Sequence, residues 1–442
     1  MTSHYVFVST EDDKRLVKGG IGSYLGLLVS VLGETRTDCE VDWVTQAPGA
    51  TDFTEEDRNV RRHYLSREAA DGADLPLSEY SEVVDSYVTA LCDRILSAGE
   101  DKRIYVEAPD WEGLLATYFT GCTDRRVLKI SRVHSPLSVC LPYNELELTA
   151  ENRRQLERER RQMLESDILS APTRYMLEAA TAHAFRESDR IPPSVVIPSG
   201  LDTRNFAPGR CSRAEALTLL GELAETELPH LAFWVFVVGS LELRKGVRIV
   251  QRAVPGILSC FPDARFCFIG HYRTEGEGDL TANSKLTRRE VLEMVPDHCR
   301  DRIHFAGYVD HALMPRILAG GDLFLFCYLC DNFPNALAEV ALTETPLVAL
   351  LRGGIPEMLC RDGRCLAMAI PDGSEEAVGD RLVSIVRDHR SNPENGFRLA
   401  SKLRSHLLRS FSPETVGDRM AETYRCALER KLAGTRPYVG AQ

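Results

Sequence analysis

The stretch from Gly320 to Glu357, GGDLFLFCYLCDNFPNALAEVALTETPLVALLRGGIPE, decides the fold. Asp322-Leu-Phe-Leu-Phe-Cys327 is a short apolar run suited to a parallel strand buried on both faces. Asn332-Phe-Pro-Asn335 breaks it, with Pro334 near the first turn of a helix, where a missing N–H is harmless. The helix is expected over Ala336 to Thr343, with its free N–H groups turned to the loop. Such an end attracts phosphate, because unpaired donors and the helix dipole act together. Asp331 and Glu339, with seven residues between them, bracket the turn and the first helical turn. Pro346-Leu-Val-Ala-Leu-Leu351 reads as the next buried strand. Gly353-Gly354 follows at its C-terminal edge, where open α/β sheets bind ligands.

These residues resemble the donor-sugar site of the retaining nucleotide-sugar glycosyltransferases of family 4, the glycosyl transferases group 1 with the GT-B fold. That family's motif is a pair of acids around a small-Phe-small turn and a helix, followed by Gly-Gly-x-Pro-Glu. Here it reads Asp331-Asn-Phe-Pro-Asn-Ala-Leu-Ala-Glu339 and Gly353-Gly-Ile-Pro-Glu357. The family usually has Glu at the first position, so Asp331 is one methylene short. The resemblance implies two Rossmann-like α/β domains with parallel sheets facing across a cleft.

Composition agrees with a soluble globular chain of two sizeable domains. It has 442 residues, 44% hydrophobic and 27% charged. A formal net charge of -12 argues against nonspecific nucleic-acid binding. The start, MTSHYVFVSTEDDK, has neither a basic region nor a long apolar core, so no secretory signal is expected. No run of apolar residues is long enough to span a membrane. The 13 cysteines are scattered and odd in number, which fits a reducing cytoplasm. Cys327-x-x-Cys330 has no partner CxxC or histidine cluster, so a metal or redox role is not expected.

Along the chain, Tyr5-Val-Phe-Val-Ser9 is the first strand, and Gly19-Gly20-Ile-Gly-Ser-Tyr24 opens an apolar helix. Strand, glycine loop and helix is the order of a phosphate cradle, and also of a tight turn with close helix packing. The family resemblance implies the first, with Gly20 approaching the donor phosphates. Val41 to Thr45 is a second strand, residues 46 to 80 read as irregular, and Glu82 to Ser97 reads as a helix. Ala108-Pro-Asp-Trp-Glu-Gly113 follows the strand Arg103 to Glu107, and Val127 to Ser131 ends in Arg132-Val-His134-Ser-Pro136. These segments resemble a bacterial branch of family 4, which implies that His134 faces the donor sugar and that Asp110 and Trp111 shape the acceptor side. Pro193 to Phe206 resembles the family's domain junction, with Ala207 to His230 as linker. The expected division is residues 1–205, residues 206–410, and a C-terminal helix in 411–442 that crosses back.

Phe233 to Val238 opens the second domain and runs into Gly239-Ser240-Leu-Glu-Leu-Arg244-Lys245-Gly246. The family has an Arg and a Lys about five apart here, which neutralise the donor diphosphate. Lys245 matches, Ser240 stands at the Arg position, and Arg244 is the candidate replacement. Fixed cations at a departing diphosphate lower the barrier. Arg302 to Val309 resembles the strand before the nucleotide base, which assigns Tyr308 and Val309 to it. By the same resemblance Glu339 holds the ribose, and Asp331 meets the sugar hydroxyls. Asn332, Phe333, Pro334, Asn335 and Ala336 offer backbone N–H groups to sugar and phosphate.

The reading is a retaining glycosyltransferase that moves a sugar from a nucleoside-diphosphate sugar to an acceptor hydroxyl. No carboxylate is placed as a covalent nucleophile and no Asp-x-Asp metal motif is present, so a front-face mechanism without metal or cofactor is expected. Alternatives are a pseudoglycosyltransferase, an epimerase, or a catalytically weak homologue that binds nucleotide sugar or a partner protein. The acceptor, whether small molecule, lipid-linked or glycan, is left open, as are the base, the sugar and the oligomeric state.

Overall fold

The computed structural model describes residues 3–13, 19–36, 38–69, 72–274, 285–293 and 295–435. It divides into two units. The first gathers Met1–Val139, Leu148–Gly200 and Pro413–Gln442; the second gathers Cys140–Glu147 and Leu201–Ser412. The division therefore falls after Gly200, not after residue 205. A short piece, Cys140–Glu147, belongs to the second unit although it lies far upstream of it in the chain.

The first unit is built on an eight-stranded sheet in the order β3-β4-β2-β1-β5-β6-β7-β8. The strands are β1 (Ser3–Val8), β2 (Cys39–Gln46), β3 (Phe53–Asp57), β4 (Val60–Leu65), β5 (Arg103–Pro109), β6 (Val127–Arg132), β7 (Ile168–Ala171) and β8 (Ser194–Val196). All neighbours run parallel except β3 and β4. That hairpin corrects the irregular reading of residues 46 to 80. β3, Phe-Thr-Glu-Glu-Asp, is an edge strand with little buried surface, so it shows no apolar alternation. The helix after it begins at Leu77, five residues earlier than expected.

The helix Pro413–Leu432 packs within the first unit. It brings Val416, Met420, Ala421, Tyr424, Ala427 and Leu428 into one cluster with Tyr5, Phe7, Tyr24, Leu25 and Leu28. Its apolar residues recur at helical spacing, which turns one continuous stripe to the core. Tyr24 and Tyr424 both donate to the buried carboxylate of Glu107, at 3.0 and 2.5 Å.

The second unit has a six-stranded, wholly parallel sheet in the order β11-β10-β9-β12-β13-β16. Its strands are β9 (Phe233–Val238), β10 (Ala264–Ile269), β11 (Ile303–Gly307), β12 (Leu323–Phe326), β13 (Leu347–Leu350) and β16 (Met368–Ile370). A separate hairpin, β14 (Cys360–Arg361) and β15 (Arg364–Cys365), precedes β16. Every residue of β9 and β12 is buried, because apolar clusters cover both faces of the sheet. β10 and β11 extend the sheet to one side of β9, and β12, β13 and β16 extend it to the other. The order therefore reverses between β9 and β12, and the loops leaving these strands lie side by side at the switch point. The segment read as a linker, Ala207 to His230, contains a helix, Arg213–Leu223, opened by a capping box of Ser212 and Glu215. Much of the polar insertion from His271 to Arg289, residues 275–284, lies outside the described residues.

Candidate functional site

The loop after β9 and the loop after β12 are pressed together. Gly246 ends the turn Leu243–Lys245 with φ 70°, and a Cβ there would lie 1.8 Å from the carbonyl oxygen of Cys327. Only glycine fits that approach. The backbone N–H groups of Leu329 and Cys330 donate to the Arg244 carbonyl at 2.8 and 3.2 Å. Asn144 accepts from the Arg244 N–H at 3.1 Å, which ties the short upstream piece to this loop.

The contact brings four charged side chains together. Lys245 Nζ stands 2.6 Å from Asp331 Oδ2, and Arg244 Nη1 stands 3.3 Å from the same oxygen. Arg244 Nε donates to Glu242 Oε2 at 2.6 Å. The Lys245 ammonium also lies 4.2 Å from the centroid of the Tyr328 ring. The Tyr328 hydroxyl donates to the Val238 carbonyl at 2.7 Å. Burial alone would raise the pKa of both carboxyl groups. The facing cations outweigh it and hold Asp331 and Glu242 below the ordinary carboxylate range. Arg244, buried between two carboxylates, is held above its ordinary value despite its desolvation. The direction of Arg244, which the sequence left open, is thus toward Asp331.

The glycine loop fixes Asp331 from the other side. Gly354 N–H donates to the Asp331 carbonyl at 2.9 Å, and a Cβ on Gly353, which has φ 65°, would lie 2.6 Å from that oxygen. The helix that follows runs Asn335–Leu342, and no side chain caps its start. Leu337, Ala338, Val340, Ala341 and Leu342 are buried, while Asn335, Ala336 and Glu339 are half-exposed. Phe333 turns inward against Phe411, with ring centroids 5.2 Å apart, so this segment presents backbone rather than side chains. Asn332 is buried beside it. Glu339 Oε1 lies 2.9 Å from His311 Nε2, and the His311 ring meets the edge of Phe206 at 5.3 Å.

Ser240 sits half-buried in the loop after β9 and supplies no charge. Val309 packs in the core, whereas Tyr308 is exposed and stacks on His271 at 4.6 Å and 22°. The remaining sequence-derived residues belong to the first unit. Gly20 is the first residue of the helix Gly20–Thr35, and the Glu11 carboxylate accepts from Gly22 N–H at 2.7 Å. His134 follows β6, its ring meeting Tyr24 edge-on at 5.3 Å. Burial and the nearby Arg132 guanidinium push its pKa well below the usual value, so the imidazole is neutral. Asp110 is fully buried, and its Oδ1 accepts from His134 N–H at 2.7 Å. Trp111 begins the turn Trp111–Gly113 and is half-buried.

Several members of the site were not read from the sequence. Glu242 lies in the quoted loop with no motif to mark it, although a carboxylate two residues before a buried Arg is its natural partner. Tyr328, His311 and Asn144 carry no local signal; Asn144 lies 100 residues from Arg244. Among the described residues, no group of three or more His, Cys, Asp or Glu side chains is placed to hold a metal, and Cys327 and Cys330 are buried and not joined in a disulfide.

The paired cations, the pinned acid, the uncapped helix start and the glycine loop gather at the switch-point crevice of the second unit, and the chain has the GT-B fold of the solved structures it superposes on. Residues 232–388 match the family model described as Glycosyl transferases group 1. One subunit of the phosphatidylinositol N-acetylglucosaminyltransferase of Homo sapiens is 29% identical over 164 residues, 37% of this chain. The chain spans 28% of the length of that protein and 46% of its Arabidopsis thaliana counterpart. Among solved structures, the sucrose-phosphate synthase of Thermosynechococcus elongatus superposes with TM-score 0.70 at 17% identity, over 98% of this chain and 100% of that one. Anabaena HepE in complex with UDP-glucose gives TM-score 0.61 at 15% identity, over 96% and 99% of the two chains. No helix among the described residues is long and apolar enough to cross a membrane.

Proposed function

We propose that this protein transfers a sugar from a nucleoside-diphosphate sugar to an acceptor hydroxyl with retention of anomeric configuration. The observation that carries the reading is the convergence of Lys245, Arg244 and Asp331 beside the uncapped start of the helix Asn335–Leu342. Lys245 and Arg244 hold the diphosphate and take up the charge that develops as the glycosidic bond breaks. Asp331 then meets the sugar hydroxyls, and Glu339 meets the ribose. The half-exposed Asn335 and Ala336 present backbone donors to the phosphate and sugar. On this reading the positive charge at the leaving group comes from Lys245 and Arg244 rather than from a metal ion. The related HepE structure holds UDP-glucose, which makes uridine the first base to try.

A second reading, binding of nucleotide sugar or a partner protein without turnover, rests on Asp331, one methylene short of the family's Glu, and on Ser240, which leaves Arg244 as the guanidinium candidate. An epimerase or pseudoglycosyltransferase would use the same donor groups. Thermal stabilisation by a panel of nucleoside diphosphates and their sugars, with and without Mg²⁺, tests the donor site, since a native-state ligand must stabilise by mass action. A selective rise that is indifferent to Mg²⁺ and lost in Glu339→Ala supports it. No rise with any nucleotide overturns it.

A further inference from the structure

The second unit holds a thiol pair that the sugar-transfer reading does not use. β14 and β15 form an antiparallel hairpin with Cys360 opposite Cys365 and Arg361 opposite Arg364. The turn between them is Asp362-Gly363, both with positive φ (51° and 72°), the geometry of a tight two-residue hairpin. Leu366 N–H donates to the Leu359 carbonyl at 3.0 Å, so the 359/366 pair is a hydrogen-bonded one. Pairs alternate along an antiparallel ladder, which makes Cys360/Cys365 a non-hydrogen-bonded pair. Its Cα atoms are then about 4.5 Å apart and its side chains project to the same face. That spacing lies within the range that a disulfide spans. Both cysteines are half-exposed, and residues 361–364 of the turn are exposed, so a small oxidant reaches them.

We propose that Cys360 and Cys365 are a site of reversible oxidation to an intrachain disulfide, with a low-molecular-weight disulfide such as oxidised glutathione as the oxidant. One thiolate attacks a glutathione sulfur, forming a mixed disulfide and releasing one glutathione thiol. The second thiolate attacks the protein-bound sulfur of that mixed disulfide, closing the Cys360–Cys365 bond and releasing the second. Two electrons pass to the glutathione disulfide, and the two protons end on its thiols. Burial, followed by the neighbouring thiol, pushes Cys360 up to about 12. The exchange is therefore slow at neutral pH and faster in alkali. The hairpin continues directly from the short helix Ile355–Leu359, whose preceding residue, Gly354, bonds to Asp331 at 2.9 Å. A closed bond thus ties off the far end of the segment that fixes that acid.

The test is incubation of the full-length protein with oxidised glutathione at several pH values, alkylation of remaining thiols, and non-reducing tryptic mass spectrometry. Trypsin cuts after Arg352, Arg361, Arg364 and Arg381, which separates the two cysteines. GGIPEMLCR and CLAMAIPDGSEEAVGDR then stay together only through the disulfide. The expected result is that this linked pair dominates the oxidised products, accumulates faster as pH rises, and separates on addition of dithiothreitol. In Cys360→Ser the linked pair is absent, and in Cys365→Ser a stable glutathione adduct on Cys360 replaces it. Alkylated Cys360 and Cys365 under conditions that oxidise other thiols, or linkage of either to a third cysteine as the main product, overturns the proposal.

Discussion

The Lys245 ammonium lies 2.6 Å from Asp331 Oδ2 in a cluster where two cations and two carboxylates, Glu242 included, balance each other without any ligand. On the proposed reading, a diphosphate competes with these carboxylates for the same donors. Because each cation has its own contact with Asp331, their contributions are separable. Lys245→Ala leaves Arg244 on Asp331, so the variant is expected to fold. Its turnover should fall by about 10²- to 10³-fold, the usual loss when a single preorganised donor to a developing charge is removed. Steady-state kinetics with the donor identified by thermal shift measures this. A variant with unchanged kcat and only a raised KM would show that Lys245 binds the ground state alone.

Glu339 has its partner, His311, at 2.9 Å before any nucleotide arrives. Glu339→Ala removes a charged hydrogen-bond acceptor from the proposed ribose site. A bond to a charged group contributes about 1.5–3 kcal/mol, so nucleotide affinity should weaken about 10- to 100-fold. Calorimetric titration of nucleoside diphosphate into both proteins checks it. Equal affinities would remove Glu339 from the nucleotide contact.

The fold and half of the candidate site were legible because both rest on local pattern. β12, β13 and the glycine loop are consecutive in the chain, and a strand buried on both faces shows as a plain apolar run. Lys245 and Asp331 were legible from motifs, but their contact was not. It depends on the order of β9 and β12 in the sheet and on Gly246 lying against Cys327. The β3–β4 hairpin was missed because its exposed edge strand carries charge where a buried strand carries valine. Asn144 was missed because a side chain that reaches across 100 residues leaves no trace in spacing.

The packing of the C-terminal helix on the first unit rests partly on one buried carboxylate. Tyr424 donates to Glu107 at 2.5 Å, and Tyr24 donates to its other oxygen at 3.0 Å. Burial raises the pKa of Glu107 against the pull of Arg132 and of both hydroxyls. Tyr424→Phe keeps the ring and removes one donor, leaving a buried acceptor short of a partner. The expected loss is about 1–3 kcal/mol of stability, read from the denaturant midpoint at unchanged m-value. Tyr424→Phe with wild-type stability would mean that water replaces the hydroxyl.

A second buried acid pair gives the first unit a pH dependence of definite sign. Asp110 is fully buried, and burial pushes its carboxyl up to about 7 against its backbone hydrogen bonds. Glu159 is raised to about 8, first by burial and then by the charge of Asp110. Both folded values lie above those of the unfolded chain. The native state therefore holds extra protons between the two, and stability falls as pH rises through that window. The contribution of this pair to stability should be complete below about pH 4, near the unfolded carboxylate values, and shrink progressively toward pH 8. Asp110 Oδ1 accepts from His134 N–H at 2.7 Å, while Oδ2 has no hydrogen-bond partner. Asp110→Asn keeps the accepting oxygen and replaces the lone one with an uncharged amide. It should raise the melting temperature more at pH 8 than at pH 5, by about 2–4 °C for each kcal/mol regained. It also relieves Glu159 of a neighbouring charge, which lowers that pKa, so the remaining fall ends at lower pH. Melting curves of both proteins from pH 5 to 8 decide the matter. Parallel curves across that range would show that Asp110 does not titrate there.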